Sequence, residues 1–159
     1  MANPEQVKAQ IKSNTALIWL ETPSNPSLKL ADIAQLAEVA HEAGLLLVLD
    51  NTWGSPIFQK GFDLGADVIM YSTTKYHGGH SDVLGGALIV HPRHCASLGQ
   101  RLYAMQNLAG AVPSPFDCWL LLRSLPTMPL RVRQQAANAM EVAQFLEQHP
   151  VVTKVHYPG

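Results

Sequence analysis

The 159 residues hold 11 basic and 12 acidic side chains, a formal charge of −1, and 47% hydrophobic against 14% charged residues. That balance supplies a packed core and gives no electrostatic case for nucleic acid or an anionic membrane as partner. No run of about 18 apolar residues is present to read as a membrane span. The N-terminal Met-Ala-Asn-Pro-Glu-Gln has no signal-peptide pattern, and Cys95 and Cys118 show no paired metal spacing, so a cytoplasmic location with unpaired thiols is expected.

Ala16 to Leu20 predicts a strand, Leu30 to Ala43 a helix and Leu45 to Leu49 a second strand, which together make one βαβ unit. In that helix Ile33, Ala37 and Ala40 recur at i, i+4 and i+7, Asp32 favours the first turn, and Gly44 can end it in the left-handed conformation. The stretch from 51 to 66 is long enough for a parallel crossover into a third strand, Asp67 to Tyr71. The sheet is expected to continue through Gly86 to Val90. A helix follows within Pro92 to Met105, and another over Phe116 to Arg123. Pro126 and Pro129 then predict a break before a long helix from about Leu130 to Gln148, stopped by Pro150. The order predicts an α/β fold with a mostly parallel sheet and flanking helices. No internal repeat, low-complexity tract or flexible linker interrupts it.

Chemistry concentrates in Ser72-Thr-Thr-Lys75-Tyr-His-Gly-Gly-His-Ser-Asp82. A lysine here follows an apolar strand heading into a core, and lysine is seldom buried without a partner. A buried amine readily shifts its pKa downward, which suits it to a Schiff base with an aldehyde cofactor. The hydroxyls of Ser72 and Thr74 suit a phosphate, and Asp50 places a carboxylate at the tip of the preceding strand. Pyridoxal phosphate needs an amine, phosphate donors and an anion that keeps its ring nitrogen protonated. Lys75, Ser72 with Thr74, and Asp50 are the candidates for those parts. Ligand sites on such a sheet lie beyond the carboxyl ends of its strands, and Glu21, Asp50 and Ser72 each follow the predicted last residue of one.

With these residues identified, the chain resembles the Cys/Met-metabolism, or trans-sulfuration, family of pyridoxal-phosphate enzymes, which includes cystathionine γ-synthase, β-lyase and γ-lyase. The resemblance rests on Glu21-Thr-Pro-Ser-Asn-Pro26, Asp50-Asn-Thr52, the Ser72 to Asp82 stretch, and Pro115-Phe-Asp-Cys-Trp-Leu-Leu-Leu-Arg123, in the family's order and spacing. It departs at His77, where relatives carry an aliphatic residue, and at the less usual Gly78. The resemblance implies a partial fold type I large domain over 1–129, with 130–159 a connecting helix leading to a C-terminal small domain absent from the chain. It implies that Lys75 forms the internal aldimine, Asp50 pairs with the pyridinium nitrogen, and Ser72 and Thr74 bind phosphate. Asn25 is placed near the cofactor's phenolic oxygen and the substrate carboxylate, Thr52 supports the ring, and Glu21 lies behind these contacts.

The same resemblance implies a carbon–sulfur lyase, or a γ-replacement enzyme, acting on cystathionine or a related thioether, in a homo-oligomer that is a homotetramer in full-length relatives. It also implies upstream phosphate and ring-stacking residues and a downstream arginine for the substrate carboxylate, none of which this sequence supplies. The competing expectation is therefore a catalytically inactive remnant that serves as a structural or interaction domain. His77, His80, His91, His94 and Cys95 fall close together in sequence but lack the helical spacing of a metal site, and no metal is expected. Trp53 is expected in the core or at the substrate's border, and Tyr76 is expected to pack beside the lysine.

Overall fold

The computed structural model describes residues 3–159, and its elements arise from short local signals. A first helix, α1 (Pro4–Lys8), is set by Asn3, whose side chain accepts from Glu5 N at 3.0 Å, and by Pro4 in the first turn. Strand β1 (Leu17–Glu21) is followed by helix α2 (Ile33–Glu42) and strand β2 (Leu46–Asp50). The α2 helix begins three residues later than the sequence predicts. Asp32 is its cap, accepting from Gln35 N at 3.0 Å, and Thr22 Oγ1 accepts from Ala31 N at 3.0 Å, which holds the preceding chain out of the helix. Gly44 ends it as expected, at φ +69°, with Leu45 N donating to Ala40 O and Gly44 N to His41 O. This is the paired closure that a left-handed glycine permits.

A short helix α3 (Ser55–Phe58) lies in the crossover to β3 (Val68–Ser72), and β4 (Gly86–Val90) completes a four-stranded sheet in the order β1-β2-β3-β4. The first three strands are parallel and β4 runs antiparallel to β3, so the sheet is mixed. Helices α4 (Gln100–Ala109), α5 (Pro115–Ser124) and α6 (Met128–Glu147) follow. Pro129 does not break the chain before α6 but sits inside its first turn, where a missing N–H costs nothing.

Register and the strand period of two divide the sheet into two faces. Leu20, Leu47, Leu49, Ile69 and Tyr71 share one face and pack with Ile33, Leu36, Ala37 and Ala40 of α2 as the core. Full burial of each large aliphatic side chain there contributes about 1.5–3 kcal/mol. The opposite face carries Trp19, Val48, Val68 and Val90 in one row and Glu21, Asp50, Met70 and Leu88 in the next. Its flanks are open: Trp19 is 55% and Leu88 50% exposed, whereas parallel sheets are usually covered on both sides.

At the end of the sheet away from those strand tips, one carboxylate ties four segments together. Asp67, 1% exposed, accepts from Leu47 N at 2.8 Å and pairs with His41 of α2 at 3.0 Å and His94 at 2.8 Å, while Arg93 Nε donates to it at 3.1 Å. Burial pushes the Asp67 carboxyl up, but the bonds from Leu47, Arg93, His41 and His94 together outweigh it and hold the group well below the usual carboxylate range.

Candidate active site

The strand tips predicted to carry chemistry come together. Glu21, Asp50 and Ser72 are the last residues of β1, β2 and β3, and Glu21 stands directly opposite Asp50 in the parallel register. Beyond them opens a cavity of about 410 Å³ lined by Glu21, Asn25, Asp50, Thr52, Trp53, Ser72, Lys75 and Tyr76. Five of the six residues expected to meet a cofactor are thus on one surface. Glu21, expected behind the site, is also on it. Trp53 borders the cavity at 43% exposure rather than packing in the core.

Thr74 is the exception. Its hydroxyl accepts from Gly85 N at 3.0 Å and donates to Gly85 O at 3.3 Å, and it lines a neighbouring cavity with Lys75, Tyr76, Ser81 and Asp82. Lys75 also departs from the expectation of burial. The chain leaves β3 through a tight turn in which Lys75 N donates to Ser72 O, Gly78 N to Thr73 O and Gly79 N to Lys75 O, and this swings the side chain outward. Lys75 is exposed, and among the described residues its amine has no hydrogen-bond or ion-pair partner.

Two hydrogen bonds fix the strand tips relative to each other. Thr52 N donates to Asp50 Oδ1 at 3.0 Å, and Thr52 Oγ1 accepts from Ser72 N at 2.9 Å. Behind them Asn51, fully buried, donates to Tyr71 Oη at 2.9 Å and to Gln59 O at 2.8 Å. Gln59 Nε2 in turn donates to Asn51 Oδ1 at 2.6 Å and to Thr22 O at 2.8 Å. This network carries the β2 tip, the crossover and the loop after β1 as one unit. Sequence reasoning assigned Asn51 no role. The only available signal was an uncharged amide between Asp50 and Thr52 at the end of an apolar strand.

His77 and Gly78, the two departures from the family pattern, both have structural partners. His77 packs its ring on Tyr71, with centroids 4.6 Å apart. A Cβ on Gly78 would lie 2.7 Å from Val83 Cγ1, so the residue is held to glycine by close approach. Burial, and secondarily the Arg131 charge, push the His77 imidazole below its ordinary range. The unfolded chain therefore takes up this proton first as pH falls, and the fold loses stability from about pH 7 downward through the unfolded histidine pKa near 6.5. His77→Leu should flatten urea-unfolding stability between about pH 7.5 and 5 relative to wild type. An unchanged slope would show that His77 does not set it.

Each of the other histidines in the 77–94 stretch has its own partner. His80 Nδ1 lies 2.7 Å from Gly78 O, His91 meets Phe62 edge-on, and His94 is on Asp67. Among the described residues no group of His, Cys, Asp and Glu is arranged to hold a metal, and no helix is long and apolar enough to cross a membrane.

Comparison with known proteins gives a consistent answer. The sequence profile described as Cys/Met metabolism PLP-dependent enzyme matches residues 1–159. The chain is 55% identical over 159 residues to a probable cystathionine gamma-synthase of Herpetosiphon aurantiacus, covering 100% of this chain and 49% of that protein. It is 45% identical over 155 residues to the cystathionine gamma-lyase of Bacillus subtilis strain 168, covering 98% and 40%. The solved structure of cystathionine gamma-lyase from Lactobacillus plantarum complexed with L-serine superposes with a TM-score of 0.94 at 41% identity, covering 99% of this chain and 40% of that one. The chain thus spans from two-fifths to about half the length of these relatives.

Proposed function

The chain belongs to the Cys/Met metabolism family of pyridoxal-phosphate-dependent enzymes, and from that premise we propose that its strand tips form the cofactor site of a carbon–sulfur lyase of trans-sulfuration. The substrate class is cystathionine or a related amino-acid thioether, with γ-replacement as the variant chemistry on the same site. One observation carries this reading: a single cavity is lined both by Lys75, whose amine has no partner among the described residues, and by Glu21 and Asp50 in neighbouring register. Like charges directly opposite on a sheet destabilise it, and a cationic ring nitrogen bound at the β2 tip would relieve that cost. The cavity volume of about 410 Å³ lies within the range of roughly 300–1,000 Å³ typical of ligand pockets.

Bound there, pyridoxal phosphate would supply an aldehyde and an electron-withdrawing ring. Asp50, with one oxygen occupied by Thr52 N, would offer the other to the ring nitrogen and keep it protonated. Ser72 would serve the phosphate, and Thr74 could join it only by giving up its bond to the Gly85 carbonyl. Asn25 orients the substrate carboxylate, and Thr52 holds the β2 and β3 tips at a fixed separation. Lys75 would be the amine that holds the cofactor's aldehyde and the base that moves the substrate Cα proton, roles that suit a side chain with no competing partner among the described residues.

Residues 1–129 are on this reading part of the cofactor-binding large domain, and α6 with the segment after it connects to a further domain of the full-length enzyme. Its cytoplasmic location and homo-oligomeric assembly belong to the same proposal, the latter supported by the open sheet flanks at Trp19 and Leu88. The exposure of Lys75 favours a second reading, a folded domain without turnover. The 159-residue chain alone is expected to release pyruvate or 2-oxobutyrate from cystathionine no faster than Lys75→Ala does. Robust release would exclude this second reading.

The substrate class is tested by competition. Borohydride should attach a pyridoxyl group to Lys75, and cystathionine added beforehand should lower that attachment while succinate leaves it unchanged. Equal labelling with and without cystathionine would contradict an amino-acid substrate whose amine takes the place of Lys75.

A further inference from the structure

We propose that Arg131, on α6, is a positioning residue for Lys75. The inference rests on the reading of Lys75 as the cofactor's amine. The guanidinium of Arg131 is shared among three acceptors from separate parts of the chain. Its Nη1 donates to Tyr76 O, the carbonyl immediately after Lys75, at 2.9 Å, across 55 positions of sequence. Its Nη2 donates to Ser124 O at 3.1 Å, and its Nε to Thr127 Oγ1 at 3.1 Å. The first bond grips the lysine turn and the other two grip the corner between α5 and α6.

The turn is shaped to receive this grip. Gly79 sits at φ +73°, donates to Lys75 O at 2.7 Å, and presents a bare Cα to the Arg131 guanidinium. A Cβ at that position would collide with Nη1 and Cζ of Arg131. Arginine therefore holds Tyr76 O and lies against the Gly79 backbone, covering the two residues that bracket the turn on its C-terminal side. Lysine cannot replace it, because a single ammonium cannot serve a carbonyl on the turn and two acceptors on the corner with fixed planar geometry.

The functional consequence comes from where the turn leads. Lys75 has no side-chain partner of its own among the described residues, so the direction of its amine depends on the backbone of residues 73–79. With Arg131 in place, that backbone is bonded to the α6 scaffold on the wall of the cavity that Lys75 shares with Asp50 and Glu21. Without it, the turn keeps its internal bonds, the Thr74–Gly85 bonds and the His77–Tyr71 contact but loses its tie to α6.

The test uses the chain without cofactor and with it. Hydrogen exchange at the Gly78 and Gly79 amides should accelerate roughly tenfold or more in Arg131→Met and in Gly79→Ala. The Leu47, Leu49 and Ile69 amides of the sheet should remain slow. Both variants should show a several-fold lower rate of borohydride-fixed pyridoxyl attachment at Lys75, and Arg131→Lys should restore neither property. Unchanged exchange at Gly78 and Gly79 in Arg131→Met would overturn the proposal. An equal acceleration through the sheet would also overturn it, since Arg131 would then support the fold as a whole. A wild-type chain with a protected turn but no Lys75 attachment would reject the cofactor reading and the purpose assigned to Arg131, while the exchange data would still decide whether the clamp exists.

Discussion

Replacing Asp67 by asparagine should lower the stability of the chain by roughly 2–4 kcal/mol, the largest effect expected of any polar substitution away from the site. The isosteric amide keeps one acceptor and turns the other into a donor, which must then face either Leu47 N and His41 or Arg93 and His94. Breaking a buried ion pair by removing one partner costs about 3–5 kcal/mol. The figure here is lower because the side chains of Arg93 and His41 are 44% and 40% exposed and recover hydration when released. For a chain of this size the midpoint of thermal unfolding should fall by about 5–15 °C. The depressed carboxyl sets the sign of the pH dependence. Its contribution is fully present above the unfolded carboxylate value near 4 and disappears as pH falls below it toward the folded value. Urea unfolding should therefore show a wild-type advantage at pH 7 that closes progressively below about pH 4. A gap that stays constant to pH 2, or is absent at pH 7, would show that the four donors do not act through this carboxylate.

Asp50→Asn should weaken pyridoxal phosphate binding by about 10- to 100-fold while leaving the fold intact. Asparagine retains the Oδ1 that accepts from Thr52 N, so the bond fixing the β2 tip survives. The loss is the charge on the second oxygen, and with it a charge-assisted bond of roughly 1.5–3 kcal/mol to the ring nitrogen. Titration with the cofactor monitored by absorbance, beside urea curves for both proteins, separates the two effects. Equal affinity at equal stability would remove Asp50 from the site.

The strands and the position of the site were legible because both depend on local pattern. Apolar runs ending in Glu21, Asp50 and Ser72 are signals over five or six residues, and the rule that ligands lie beyond strand ends needs only those ends. Each strand in fact includes the residue expected just beyond it, a shift of one position that leaves the tips where they were placed. The direction of β4, which the mostly parallel expectation left open, and the position of Pro129 inside α6, which was missed, have a different cause. Strand direction depends on the path of the loop from 73 to 85, and proline at a second helical position looks in sequence like a breaker.

The polar contacts were not legible at all. Asn51 and Tyr71 are 20 positions apart, His41 and Asp67 26, and Tyr76 and Arg131 55, and nothing in local periodicity couples such pairs. The orientation of Lys75 was misjudged for the same reason. An apolar strand predicts burial of the next few residues, but the turn closed by Gly78 and Gly79 directs the lysine side chain outward. His77 was visible as a departure from the family, while its ring contact with Tyr71 required the folded turn.

The most direct measurement is the visible absorption spectrum of the purified chain with added pyridoxal phosphate, before and after borohydride, with Lys75→Ala alongside and the modified residue located by mass spectrometry. A yellow band that borohydride fixes onto Lys75, and that Lys75→Ala lacks, is the predicted result. A band that is absent, or that persists undiminished in Lys75→Ala, would contradict the assignment of Lys75 as the cofactor's amine.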